Sequence, residues 1–149
     1  MGKRLPLIAG NWKMYKTGDE ATQTARRLKE LVAAAAGVEI MIAPPFTALA
    51  QVAAVITASN IALGAQNMHW EAQGAYTGEI APTMLVNAGC RYVIIGHSER
   101  RQYFGETDQS VQRKIRAAVS NGLRPILCIG ESEAEREAGR TFSVLDKQI

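Results

Sequence analysis

The chain has 149 residues, 47% of them hydrophobic and 21% charged, with a net charge of +3. That is one domain's worth of an ordinary globular composition, long enough to bury a core. Its lysines and arginines are scattered, which gives no electrostatic footprint for nucleic acid, and no apolar run approaches the roughly 18 residues of a membrane span. The N-terminus lacks a signal-peptide hydrophobic region. Cys90 and Cys128 stand apart without a CxxC, so they read as two reduced thiols of a cytoplasmic protein.

Short apolar runs alternate with helical patterns. The first strand is expected over LPLIAGN (5–11). In the helix that follows, Thr17 and Glu20 have capping-box spacing, Ala21, Ala25, Leu28 and Val32 share a face, and Gly37 reads as the stop. VEIMIA (38–43) is the second strand, closed by Pro44-Pro45, and a second helix is expected from Phe46 to Ala58. IALGAQ (61–66) is the third strand. The MHWEAQGAYTGE segment after it is longer than most strand-to-helix connections. Its Met68, Trp70 and Tyr76 read as exposed apolar groups awaiting a partner, and His69 as a loop or interface residue.

A short helix with Pro82 in its first turn should stop at Gly89. YVIIGH (92–97) is the fourth strand, and Ser98-Glu99 can open a short helix. The next helix starts near Thr107, stripes Val111, Ile115 and Val119, and ends on Asn121-Gly122. RPILCIG (124–130) is the fifth strand. Ser132 and Glu135 can cap a short turn interrupted at Gly139. From Thr141 a stripe of Phe142, Leu145 and Ile149 begins a helix that looks cut in mid-course. Strands apolar throughout indicate a parallel sheet covered on both faces, hence an α/β architecture with right-handed crossovers.

In such sheets ligands gather at the carboxyl ends of the strands. Asn11, Trp12 and Lys13 stand at the first such end, Pro44-Pro45-Phe46 at the second and Gln66-Asn67 at the third. His97-Ser98-Glu99 stand at the fourth, and Cys128 to Glu131 at the fifth. Singly, Lys13 is a rim lysine, His97 a satisfied core histidine and Glu99 a partner for Arg100 or Arg101. Three such groups converging on one face make a site, and a lysine, a neutral imidazole and an amide there suit an anionic oxygenated small molecule. A helix opening at Ser98 would favour the neutral form of His97. The chain has no GxGxxG after its first strand, no GxxxxGK[ST] and no GxSxG, and His69 and His97 lack metal-ligand spacing.

The stretches AGNWKM, GAQNMHWEAQGAYTGEIAP, VIIGHSERRQYFGE and CIGESEAEREAG, in this order, resemble the triosephosphate isomerase family over essentially the whole chain. The resemblance implies an eight-stranded β/α barrel, which takes about 250 residues when complete. Residues 1–149 would form the N-terminal portion of one such TIM-barrel domain: strands 1–5, helices 1–4 and the start of helix 5. The implied reaction interconverts dihydroxyacetone phosphate and D-glyceraldehyde 3-phosphate without cofactor or metal. In that family a glutamate base works with a neutral histidine electrophile, an assignment taken from the family and not from this sequence.

By this resemblance His97 is the electrophile, and Lys13 the cation that binds substrate and stabilises the enediolate. Asn11 lines the substrate, and Glu99 is a second acidic residue of the site. The family's base, lid and phosphate-holding loops would lie past Ile149, and Glu131 and Glu133 do not match the motif of the base. The chain alone is therefore expected to be nearly inactive, with a C-terminal half completing the barrel. The family also forms homodimers through its third loop, matched here by Gln66 to Glu79. That would place Thr77 near the other copy's Asn11 and Lys13, and Glu79 against its Arg100. The alternative is a non-catalytic half-barrel that self-associates or binds a phosphorylated ligand.

Overall fold

The computed structural model describes residues 4–149. Strands β1 (Leu7–Asn11), β2 (Glu39–Ala43), β3 (Ile61–Ala65), β4 (Cys90–Ile95) and β5 (Arg124–Leu127) form one parallel sheet in the order β1-β2-β3-β4-β5. This strictly sequential order belongs to a barrel segment, since a doubly wound sheet would reverse direction. The helices are α1 (Gly18–Leu31), α2 (Leu49–Ile56), α3 (Pro82–Asn87), α4 (Ser98–Tyr103), α5 (Asp108–Ser120), α6 (Glu133–Glu137) and α7 (Thr141–Gln148). All five expected strands are present, as is the short helix after His97.

Strand register sorts side chains onto two faces. Ala9 pairs with Met41, Asn11 with Ala43, Tyr92 with Arg124 and Ile94 with Ile126. On this inner side Met41, Ala43, Tyr92 and Ile94 form a small core with Ala62, Ile126 and Cys128. The alternate residues Ile40, Ile42, Leu63, Ala65, Val93 and Ile95 pack outward against Ala21, Ala25, Val52, Leu85, Val111 and Ala118 of the helices. Asn11 thus points to the inner side because of its register, two residues beyond Ala9.

The sheet curls tightly enough to bury Met41 completely. Gly64 makes the room: a β-carbon there would lie 2.5 Å from the Met41 sulfur. The pairing of β3 with β4 shifts register between Leu63 and Gly64, which adds local twist at the same point. At the amino end of the inner face, Arg124 donates to Glu39 and to the Tyr92 hydroxyl, both at 3.1 Å, and that hydroxyl donates to Glu39. The Tyr92 hydroxyl first, and Arg124 after it, hold the Glu39 carboxyl below the usual carboxylate range. The two ends of the inner face therefore differ: a small charged clasp below, and a chemically mixed opening above.

Several boundaries depart from the sequence pattern. Helix α1 ends at Leu31, well before Gly37, because the Asn60 side chain donates to the carbonyls of Val32 (2.7 Å) and Ala35 (3.2 Å). Gly37, at φ +73°, instead turns the chain into β2. The second helix opens as a 3-10 turn, Phe46–Ala48, and stops at Ile56 because Thr57 is extended at ψ 138°. Strand β5 stops at Leu127. On α5 the buried positions are Val111, Lys114 and Ala118, whereas Val119 is 61% exposed. Met68 is fully buried in the outer core. Coverage on both faces holds for β2, β3 and β4 but not for the outer strands, where Ile8 is 63% exposed.

Replacing Gly64 by Ala sets two effects against each other. Losing glycine's backbone freedom in the unfolded chain stabilises by about 0.4–1 kcal/mol, while overpacking a filled core costs about 1–3 kcal/mol. Overpacking wins. Gly64→Ala should lower the urea midpoint without changing the slope of the transition, and an unchanged or raised midpoint would show that Met41 moves aside freely.

Candidate functional site

The opening above the inner face is built from strand ends. Asn11, the last residue of β1, accepts the backbone N–H of Lys13 at 2.9 Å, closing a local turn. Lys13 adopts φ +52°, a left-handed conformation that side-chain-bearing residues rarely hold unaided. The Gln66 side-chain amide at the end of β3 donates to the Lys13 carbonyl at 2.8 Å and to the Ala43 carbonyl at 2.9 Å. Three strand ends thus fix the backbone that carries Lys13. Its ammonium reaches Glu99 Oε1 at 2.7 Å, with both side chains nearly half exposed.

His97 follows β4 through Gly96 and caps α4. Its Nδ1 accepts the backbone N–H of Glu99 at 3.3 Å. A nitrogen that accepts an amide proton carries none of its own, so in this geometry Nε2 is the ring's donor. Glu99 Oε2 also lies 3.5 Å from this Nδ1, a contact that would become an ion pair only on the protonated ring. Asn11, Lys13, Phe46, Gln66, His97 and Glu99 line a common pocket of about 190 Å³. A cation, a ring N–H donor and the Asn11 side-chain amide at one small volume can bind an oxygenated anion and stabilise charge developing on its oxygens.

Of the residues singled out from sequence, Asn11, Lys13, His97 and Glu99 come together. Arg100 also borders the pocket, its Nε 3.7 Å from a Glu106 carboxylate oxygen and its guanidinium 5.0 Å from the centre of the Phe104 ring. Thr77 and Glu79 do not join it; both are exposed on the loop between β3 and α3. That loop is ordered by His69, whose ring is buried, stacks on Trp70 at 4.2 Å, lies tilted against Tyr76 at 4.3 Å, and accepts the Glu71 amide at 3.1 Å. Burial pushes the Cys90 thiol up to about 12 and raises Cys128 as well, so neither is poised as a nucleophile.

Sequence reasoning passed over Glu106 and Lys114, both buried beneath the site and paired with each other. A signal for Lys114 existed: it lies three residues after Val111 and four before Ala118, squarely on the apolar side of α5. Glu106 carried no comparable mark, because it sits in the connection between α4 and α5.

A profile of the triosephosphate isomerase family matches residues 6–149. The triosephosphate isomerase of Chloroflexus aurantiacus is 58% identical over 146 residues, covering 98% of this chain and 58% of the relative. That of Geobacter metallireducens gives the same figures. The crystal structure of triosephosphate isomerase from Bartonella henselae aligns with a TM-score of 0.91 at 40% identity, covering 96% of this chain and 59% of the other. The chain therefore spans less than two thirds of the length of these relatives.

The ion pair at the pocket has a defined pH window. The hydrogen bond and charge of Lys13 hold the Glu99 carboxyl below the usual carboxylate range, and Glu99 raises the Lys13 ammonium. A lowered carboxyl stabilises above its unfolded value and loses that contribution as pH falls through its folded one. A raised ammonium stabilises below its unfolded value and loses that contribution as pH rises through its folded one. The pair is therefore intact from mildly acidic to mildly alkaline pH. Titrating the Glu99 carboxyl by carbon NMR should give a midpoint below that of an ordinary glutamate, returning to the ordinary value in Lys13→Met. Equal midpoints in the two proteins would mean the pair does not persist in solution.

Proposed function

Since the chain belongs to the triosephosphate isomerase family, we propose that it supplies the substrate-binding and electrophilic part of an isomerase interconverting dihydroxyacetone phosphate and D-glyceraldehyde 3-phosphate. The observation that carries this reading is His97, whose Nδ1 is occupied by an amide so that Nε2–H is free to donate. Starting from the ketone, a base removes a C1 proton and an enediolate forms with negative charge on O2. Nε2–H of His97 gives its proton to O2, and the ring then recovers one from the O1 hydroxyl. The C2 carbon takes back the proton held by the base. No proton is gained or lost overall, and the Lys13 ammonium offsets the oxyanion charge throughout.

The base is assigned outside residues 1–149. Glu99 is engaged with Lys13, and Glu131 accepts from Arg136 at 2.8 Å. The part of the relatives' length that this chain does not span would supply the base, either as a continuation of the chain or as a second polypeptide completing the barrel. We further propose a cytoplasmic homodimer in which the loop from Gln66 to Glu79 enters the other copy, with Thr77 beside its Asn11 and Lys13 and Glu79 beside its Arg100. Free Cys90 and Cys128 suit a reducing compartment. The packed rings of His69, Trp70 and Tyr76 support a stiff loop, and Tyr76 is 45% exposed on it. A second reading, a self-associating half-barrel without catalysis, draws on the uncovered outer face of β1 at Ile8.

Turnover of glyceraldehyde 3-phosphate tests this, measured for the 149-residue chain alone and mixed with a polypeptide carrying the rest of a relative's barrel. Activity is expected only in the mixture, and His97→Gln should lower it about 10²–10⁴-fold, the usual contribution of a positioned proton donor. Equal turnover without the added half would place a base within residues 1–149. No turnover in the mixture, with the folded 149-residue chain sedimenting as a multiple of its own mass, would favour the self-associating half-barrel.

A further inference from the structure

Beneath the pocket lies a set of buried charges that the reaction as described does not use. Glu106 and Lys114 are among the few buried charged residues, and their side chains are only 2% and 6% exposed. One Glu106 oxygen accepts from the Lys114 ammonium; the other accepts the backbone N–H of Gly96 at 3.1 Å. Lys114 also donates to Asn67 Oδ1 at 2.8 Å, and Asn67 lines the pocket. On the other side of Gly96, the Arg101 Nε donates to its carbonyl at 2.8 Å. Both peptide planes flanking the Gly96 α-carbon are therefore held by charged groups, and the residue stands at φ +77°. There is no slack around it. A β-carbon at Gly96 would lie 3.1 Å from both Arg101 Nη2 and the Cys128 carbonyl, and 3.2 Å from Val111.

Gly96 sets the direction in which the chain enters His97, and that direction decides whether Nδ1 meets the Glu99 amide. We propose that Glu106 and Lys114 are positioning residues for His97: acting through the Gly96 amide, the pair holds the imidazole in the form with its proton on Nε2. The inference rests on the electrophilic role of His97 stated above. Without Lys114, the nearest cationic group left to the buried Glu106 carboxylate is Arg100, whose Nε lies 3.7 Å from it. The carboxylate then turns toward Arg100 and releases Gly96. With both ions replaced by apolar groups, the Gly96 N–H loses its acceptor in a buried setting, and the turn relaxes to recover a partner.

The test reads the ring itself rather than turnover. The chain has two histidines, so nitrogen NMR of protein labelled at histidine shows only His69 and His97. His69 is an internal reference, because its Nδ1 also accepts a backbone amide, from Glu71, and neither ion of the couple bonds to it directly. The variants are Lys114→Met and the double variant Glu106→Leu/Lys114→Met, the second leaving no unpaired ion of this couple to unfold the chain. In both, the ratio of Nε2–H to Nδ1–H forms at His97 should fall about fivefold, the scale of one lost hydrogen bond, while His69 stays unchanged. An unaltered His97 in either folded variant overturns the proposal. So does loss of both histidine signatures together in both variants, which would mean that the ions only hold the fold. Failure of the isomerase reading would show in turnover and leave this ring measurement intact, so the two can fail separately.

Discussion

The backbone turn at Gly96 couples the sheet to its chemistry. Four residues of β4, from Tyr92 to Ile95, are almost wholly buried, two facing the inner core and two the helices. A strand packed on both sides has no freedom to tilt, so whatever follows it is delivered at a fixed point. The left-handed turn at φ +77° then swings the chain across the opening, a conformation that favours glycine, and a β-carbon there would crowd Arg101, Val111 and the Cys128 carbonyl at 3.1–3.2 Å. His97 inherits this placement and becomes the cap of α4. Packing energy gathered along the strand is thereby converted into orientation at its tip.

The same economy governs Lys13. Its positive φ is a local cost, offset by the Asn11 side chain and by the two bonds from Gln66. These groups come from β1 and β3, and Ala43 brings in β2, so the strain persists only while the sheet is assembled. Lys13 and His97 lie far apart in sequence, and the parallel order of the strands brings them to one pocket. Glu99 joins the two halves of the site, touching the ammonium on one side and the ring on the other. Its own position follows from the first turn of α4.

Much of this was legible from the residues. Five continuous apolar runs placed five strands and put Asn11, Lys13, His97 and Glu99 among the polar groups ending them, while the site roles of Asn11 and Glu99 came only with the family resemblance. Thr17 and Glu20 signalled the start of α1 correctly; the Thr17 N–H is taken by the Glu20 carboxylate at 2.7 Å. Its end was not legible, since Asn60, nearly thirty residues onward, caps it through tertiary contact. Spacing alone favoured Val119 over Lys114 on α5, because a lysine on an apolar face looks like an interruption until its partner Glu106 is in view. Met68 looked exposed for the opposite reason: it sits in a polar loop sequence yet folds back into the outer core. Loop residues that pack by long-range contact leave no periodicity to read.

We propose that Asn11, Lys13, His97 and Glu99 form one preorganised site for a small phosphorylated carbonyl compound. The most direct measurement is a titration of the nitrogen-labelled chain with dihydroxyacetone phosphate, followed by NMR at every amide and at both histidine rings, with uncharged dihydroxyacetone as the control. Shifts are expected only at those four residues and their neighbours Gln66 and Asn67, saturating on one curve for the phosphate ester and much weaker for the control. Shifts centred elsewhere, such as the groove between α1 and α2 at Arg26 and Lys29, or none at all on these four residues, would contradict it.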